Sequence, residues 1–387
     1  MKANPGGNQD PNHVYGRTQL IDLLWDRLEN QSIVQNGERR IGKTQILRKM
    51  LVQPRSGWKP IYRDLEKIHS AQEFAEQVYD DIQQFLGSTQ RAKNFIRKFF
   101  EDNETDHVNL KARTWKKLLT TAVEELMQAK TAERLVFFWD EIPYMLESIC
   151  RNDGPKLAAE VLDTLRSLRV EQVKFRVIFA GSLGLHHVLA RLTAAGIPIA
   201  PINDMFHVTV NPLAIQDAES LAADLIQGEK IPCEDVKASA STIAKEADYF
   251  PFYIHLIVAG LRNDELTASD QNIHDFVSRQ LVDARDPWQL AHYRKRLDTY
   301  YPDNNDSDSV TKILDVLACS AEQTNSLTID QIMAEATSRG AELHGREKLL
   351  SLLRLMDADH YLSRETDGTY QFRSEIIRRW WKVDRGL

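Results

Sequence analysis

No stretch of this chain limits its fold as tightly as residues 32–50, SIVQNGERRIGKTQILRKM. A short apolar run, Ser32 to Gln35, leads into a glycine-bounded segment. After it, Ile46, Leu47, Met50 and Leu51 recur at helical spacing. Between Gly37 and Thr44 the letters GERRIGKT fit G-x-x-x-x-G-K-[ST], a loop whose backbone N–H groups cradle phosphate. In such a loop Lys43 reaches the β/γ-phosphates and Thr44 ligates Mg²⁺. The N-terminus of the helix starting near Gly42 adds a partial positive charge. The candidate nucleotide-binding residues are therefore Gly37, Glu38, Arg39, Arg40, Ile41, Gly42, Lys43, Thr44 and Gln45. A strand before the loop and a helix after it are the context the motif requires.

A second landmark is RLVFFWDEIPYML, Arg134 to Leu146. Five successive apolar residues, Leu135 to Trp139, read as a strand buried on both faces, and two acids stand at its C-terminal end, where open α/β sheets take ligands. Asp140 is placed to hold the metal ion. Glu141 is placed to orient and deprotonate the water that attacks the γ-phosphate. A further buried strand, Phe175 to Ala180, ends in Gly181-Ser182, which makes Ser182 the candidate γ-phosphate sensor. The same letters, AGSLG, also resemble a hydrolase nucleophile elbow, with His186, His187 and Asp204 downstream as the acid–base partners.

Around these landmarks the chain alternates strand and helix: strands at Ser32–Gln35, Pro60–Leu65, Leu135–Trp139, Phe175–Ala180 and Phe206–Val210, with helices at 18–28, 71–86, 110–129 and 155–170. That alternation predicts a five-stranded parallel sheet in an α/β fold. The segment RAKNFIRKFF, Arg91 to Phe100, reads as a surface helix with a basic face. Residues from Asp217 to about Tyr301 are helical in pattern and read as a lid. Tyr300 to Ser309, YYPDNNDSDS, reads as an acidic linker. Three amphipathic helices follow, at 310–317, 328–338 and 346–356. A hairpin signal around Thr366-Asp367-Gly368-Thr369 completes the order of a winged helix. The domains expected are thus a loosely packed start (1–13), a core (14–212), a helical lid (213–300), a linker (301–309) and a winged helix (310–387).

Composition narrows the partners. The formal net charge of the 387 residues is −7, and residues 306–387 carry 11 Lys and Arg against 14 Asp and Glu, a net of −3. Nucleic acid would therefore have to be met by a local patch, for which Arg378 and Arg379 beside Trp380 and Trp381 are the candidates. The bland alternative makes the tryptophans core anchors and the arginines a solvated face. No apolar run reaches the roughly 18 residues of a membrane span. Residues 1–13 lack the apolar centre of a signal peptide, and the three cysteines are scattered, so a cytoplasmic location is expected.

Taken together, Tyr15-Gly16-Arg17, GERRIGKT, FFWDEIPYML, VIFAGS, VTVNPL, YFPFYIHLI and YQFRSEIIRRWW resemble the prokaryotic AAA+-like P-loop ATPases of the archaeal ATPase family. These are relatives of origin-recognition ATPases and of STAND signalling NTPases. The resemblance spans residues 14–387. It implies an AAA+/ASCE-like P-loop NTPase fold with lid and winged helix, ATP and Mg²⁺ as cofactors, nucleotide contacts from Arg17 and Pro251, and ATP hydrolysis with Glu141, Lys43 and Ser182 as catalytic residues; without an arginine at the γ-phosphate the turnover expected is slow, as in a nucleotide-driven switch. Beside ATP, the expected partner is another protein, with DNA through the winged helix or further copies of the chain as the alternatives. Three departures stand out. Thr18 and Gln19 replace the common glutamates after Gly-Arg; Pro251 follows Tyr249 and Phe250 rather than Gly-x; and no arginine precedes the fifth strand, which leaves Arg191 as the nearest finger candidate. A small-molecule kinase is the remaining alternative that the loop allows.

Overall fold

A computed structural model describes residues 1–7, 10–87, 111–181, 184–197, 200–301, 304–320 and 326–387. Two calls made from the sequence, the basic segment 91–100 and Ser182, lie outside these residues. The chain divides into two compact units. A sheet unit comprises Asp10–Gly37 and Gly42–Val210; a helical unit comprises Met1–Gln9, Glu38–Ile41 and Asn211–Leu387.

In the sheet unit the elements follow in the order α1 (Thr18–Leu28), β1 (Ile33–Gly37), α2 (Lys43–Val52), β2 (Trp58–Asp64), α3 (Ala71–Phe85), α4 (Lys111–Gln128), β3 (Arg134–Asp140), α5 (Ile142–Asn152), α6 (Pro155–Glu171), β4 (Arg176–Ala180), α7 (Leu185–Ala194) and β5 (Phe206–Val210). The strands form one parallel sheet in the order β2-β3-β4-β1-β5. Because β4 lies between β1 and β3, the loop that ends β1 and the acids that end β3 are two strands apart at the same edge of the sheet.

Alternation along β3 explains why its apolar run is unbroken. Trp139 packs edge-on against Phe74 of α3 and stacks on Phe179, with ring centroids 5.0 and 5.8 Å away. Phe138, one residue earlier, faces the other side and meets Trp25 of α1 at 6.1 Å. Helices cover both faces, so every position of the strand from Leu135 onward is buried and none tolerates a charge until Asp140 ends it. Fully burying such large side chains contributes on the order of 2 kcal/mol apiece, which is why the sheet centre fixes the unit.

The helical unit contains α8 (Ile215–Glu229), α9 (Val236–Glu246), α10 (Pro251–Asn263), α11 (Asp270–Val282) and α12 (Ala291–Tyr300). After them come α13 (Asn304–Ser320), α14 (Ile329–Ser338), α15 (Arg346–Ala358), the antiparallel hairpin β6 (Leu362–Arg364) and β7 (Tyr370–Phe372), and α16 (Glu375–Arg385). Leu327 adds a bridge to Tyr370. Three helices and a hairpin thus follow one another in the order read from the sequence. α16 then closes the chain, with Trp380 and Trp381 buried as core anchors.

Two expectations are corrected. Most of the acidic stretch 300–309 is helix, because α13 already begins at Asn304. Asp306 in its first turn suits the helix N-terminus and pairs with Lys348 of α15 at 2.6 Å. The start of the chain is engaged rather than loosely packed. Within the helical unit the Ala3 N–H donates to the buried Glu229 carboxylate at 2.7 Å, Lys2 pairs with the same group at 3.1 Å, and the Asn4 N–H donates to Nδ1 of His255 at 3.2 Å. Gly228 admits this backbone, since a Cβ there would lie 1.7 Å from the Met1 carbonyl oxygen. In the sheet unit, Asp10 caps a short 3₁₀ turn over Pro11–His13.

Candidate nucleotide site

The phosphate loop leaves β1 at Gly37 and re-enters helix at Lys43. Gly42 caps α2 with φ +100°, a conformation that L side chains rarely adopt; the space around it is open, so the backbone angle alone demands glycine. Directly behind it the Lys43 ammonium donates to the Gly37 carbonyl at 2.6 Å and is buried, which folds the lysine back across the loop mouth.

Thr44 follows, and its hydroxyl donates to Oδ2 of Asp140 at 2.7 Å. The two residues stand 96 positions apart in sequence and meet because β1 and β3 end at the same edge. Asp140 is only 3% exposed, and a buried carboxylate needs donors. Its Oδ1 accepts the Glu141 N–H at 3.2 Å, and its Oδ2 accepts a second hydroxyl, that of Tyr62, at 3.0 Å. Burial and the adjacent carboxylate push the Tyr62 phenol well above its usual range, so it stays a donor. Thr44 and Asp140 offer hard oxygen atoms side by side, a donor set that fits a small divalent cation such as Mg²⁺.

Glu141 adopts φ +55° between β3 and α5, and Pro143 sits at the start of α5. This turn throws the Glu141 carboxylate toward the end of β4: its Oε2 lies 3.4 Å from where a Cβ of Gly181 would be. Pro143 would lie only 2.7 Å from the same Cβ, so glycine at 181 is a matter of room for the acid's turn. The Glu141 carboxylate thus lies beside the end of β4, on the residue that follows Asp140.

The remaining candidates distribute as follows. Gln45 is on α2, and Arg17 is buried where α1 begins. Glu38 to Ile41 belong to the helical unit. There Glu38 accepts the Arg39 N–H at 2.8 Å and pairs with Arg296 of α12 at 3.5 Å. Arg40 lies over the Phe252 ring, 4.4 Å from its centroid, and donates to Gln289; Ile41 is fully buried. Pro251 opens α10. Arg191, on α7, pairs with Glu147 of α5 at 2.8 Å. Asp204, which the hydrolase alternative needs as an acid, is instead committed to the buried Arg169 at 2.8 Å. Sequence reading missed Tyr62, Gly181 and the Arg296 partner of Glu38. The one available signal was that Tyr62 falls within the strand read at Pro60–Leu65.

No family model matches the chain, and no curated protein matches it. Among solved structures it is similar to the Walker-type ATPase of Pyrococcus abyssi, at 16% identity, with 96% of this chain and 97% of that one covered and a TM-score of 0.62. It is also similar to the ORC2 protein of Aeropyrum pernix in its ADPNP–ADP complexes, at 11% identity, with 98% and 97% covered and a TM-score of 0.53. With a glycine-bounded loop leaving β1, Asp140 ending β3 with Glu141 directly after it, and β4 between the two strands, the chain has the fold of these P-loop ATPases.

Proposed function

We propose that this protein binds ATP with Mg²⁺ and hydrolyses it slowly, serving as a nucleotide-driven conformational switch of the STAND-like signalling or defence kind. The observation that carries this reading is the 2.7 Å bond between the Thr44 hydroxyl and Asp140, with Lys43 and Glu141 as their immediate neighbours in sequence. Lys43 and the N–H groups around Gly42 would bind the β/γ-phosphates. Thr44 and Asp140 would hold the cation, which when bound neutralises charge on the β- and γ-oxygens. Glu141 would accept the proton of the attacking water as its oxygen bonds to phosphorus and ADP leaves. Ser182, Arg17 and Pro251 would complete the contacts to phosphate and base.

Slow turnover is supported by the tie between Arg191 and Glu147, which engages the nearest finger candidate within its own unit. Residues 213–300 would act as the lid and residues 310–387 as a winged helix, in a cytoplasmic protein that answers to a protein partner or to further copies of itself. The Glu38–Arg296 pair supports a switch, because a loop residue and a helix of the proposed lid share one ion pair.

A second reading, an origin-recognition-like ATPase that uses the winged helix on duplex DNA, is favoured by the order of helices and hairpin over residues 304–372. The arginines proposed for it are engaged elsewhere. Arg378 donates to the Ala318 carbonyl at 2.9 Å and pairs with Glu375, and Arg379 pairs with Glu246 at 2.7 Å.

Phosphate release from ATP by the wild type and by Glu141→Gln, each with and without duplex DNA at moderate salt, tests both readings. A low basal rate is expected to fall at least about 100-fold in the variant while nucleotide binding survives, with no response to DNA. Unchanged turnover in Glu141→Gln removes Glu141 from its role; stimulation by DNA favours the second reading.

A further inference from the structure

We infer that Tyr62 is a positioning residue of the cation site, holding the Asp140 carboxylate in the orientation that a hard divalent ion requires. The inference rests on the reading of Thr44 and Asp140 as the residues that hold the cation. Its own observation is the 3.0 Å bond from the Tyr62 hydroxyl to Asp140 Oδ2, the oxygen that also accepts from Thr44 at 2.7 Å.

Three features give this bond its meaning. First, Tyr62 comes from a different element than either partner, since Thr44 is on α2 and Asp140 ends β3: β2 lies beside β3 in parallel register, with Tyr62 opposite Phe138 and Asp64 opposite Asp140. The hydroxyl is therefore delivered by the strand that neighbours β3 in the sheet. Second, the rest of Asp140 is pinned from the backbone side, since Oδ1 accepts the Glu141 N–H and the Asp140 carbonyl accepts the Leu65 N–H at 2.9 Å. With those contacts made, the direction of Oδ2 is left to Thr44 and Tyr62. Third, only one of these two hydroxyls has a second task. On that reading Thr44 must turn a lone pair to the cation, whereas the Tyr62 hydroxyl, among the described residues, donates to the carboxylate.

A cation with near-ideal octahedral demands gains most from a carboxylate that is already aimed. Partners that aim a metal-holding group characteristically contribute about 10- to 100-fold in metal affinity when intact. Tyr62→Phe removes the hydroxyl and keeps the ring, which lies beneath the Arg48 guanidinium at 5.8 Å.

The test is a Mg²⁺ titration of the binding of a fluorescent, non-hydrolysable ATP analogue to the whole chain, for wild type, Tyr62→Phe and Asp140→Asn, with affinity in EDTA measured alongside. Tyr62→Phe is expected to raise the half-saturating Mg²⁺ concentration about tenfold and to leave the EDTA affinity within about twofold of wild type. A midpoint for Tyr62→Phe within twofold of wild type, with Asp140→Asn strongly shifted, overturns the role of Tyr62 and leaves the cation site standing. Equal loss of affinity in EDTA and in Mg²⁺ makes Tyr62 a packing residue only and likewise overturns the inference. If Asp140→Asn shifts nothing, the reading of the cation site fails, and with it this one.

Discussion

The Asp140 cluster of the sheet unit and the charged groups of the helical unit satisfy their polar atoms differently. In the sheet unit two side-chain hydroxyls and one backbone N–H converge on a single carboxylate: Thr44, Tyr62 and the Glu141 N–H all donate to Asp140. In the helical unit charged groups are used internally. Asp315 is shared by the Trp381 indole and Arg385, Arg379 pairs with Glu246, and Glu229 accepts from Ala3, Lys2 and Arg262. A cluster of arginines next to tryptophans looks like a ligand surface until its partners are known. An acid behind five apolar residues looks like a folding liability until the opposed hydroxyls are known. What separates the two is the kind of partner: Asp140 meets two hydroxyls and a backbone N–H, whereas Asp315, Glu246 and Glu229 each meet an opposite charge.

The contrast is breakable by experiment. If the C-terminal tryptophans are internal anchors, Trp381→Ala should cost about 3–5 kcal/mol of stability in chemical denaturation, because it opens a cavity and strips Asp315 of one donor. A loss below about 1 kcal/mol would mean that α16 is not anchored there.

Acid should reach the helical unit next. Burial holds His255 at about 4, against 6.5 for the exposed group, and His292 at about 3. Between pH 6.5 and 4 the unfolded chain takes up the His255 proton first, so stability is intact above pH 6.5 and falls as the pH drops, by about 3 kcal/mol at full extent. Protonation also removes the acceptor for the Asn4 N–H. Urea titrations at pH 7 and pH 4.5 on wild type and His255→Asn check this: the variant should lose part of the pH dependence, and an identical slope in both would remove His255 from the account.

The smallest effect is the most discriminating. Arg379→Ala should cost about 1 kcal/mol, the worth of a partly screened pair with Glu246, and should leave any affinity for duplex DNA and its salt dependence unchanged. A salt slope reduced by about one charge would instead make Arg379 a phosphate contact and dissolve the contrast between the units.

Much of this architecture was legible because its signals are local. The phosphate loop is contiguous, and glycine at 42 is required by a φ of +100° within the loop itself. The apolar run of β3 announced a strand covered on both faces, and β5 falls at Phe206–Val210 as read. Helix boundaries followed apolar spacing to within a residue or two in α1, α3 and α6. Where the reading slipped, composition had been taken for conformation. Asn304 to Ser309 look like linker residues, yet they are also good helix starters, and a partner in Lys348 makes them a helix. Polar, glycine-containing residues at the start of the chain look loose, yet Glu229 and His255 accept their backbone N–H groups.

By itself, then, the sequence determined the loop, the acid pair, the alternation of strands and helices and the succession of three helices and a hairpin, since each depends on neighbours in the chain. Tertiary structure alone decided the strand order that brings Thr44 to Asp140, the register that delivers Tyr62 to the same oxygen, the room at Gly181 that the Glu141 turn requires, and the partners that occupy Arg378 and Arg379. Hydrophobic periodicity says which face of an element is buried. It carries no information about which other element lies across that face, and the pairing of polar groups is settled there.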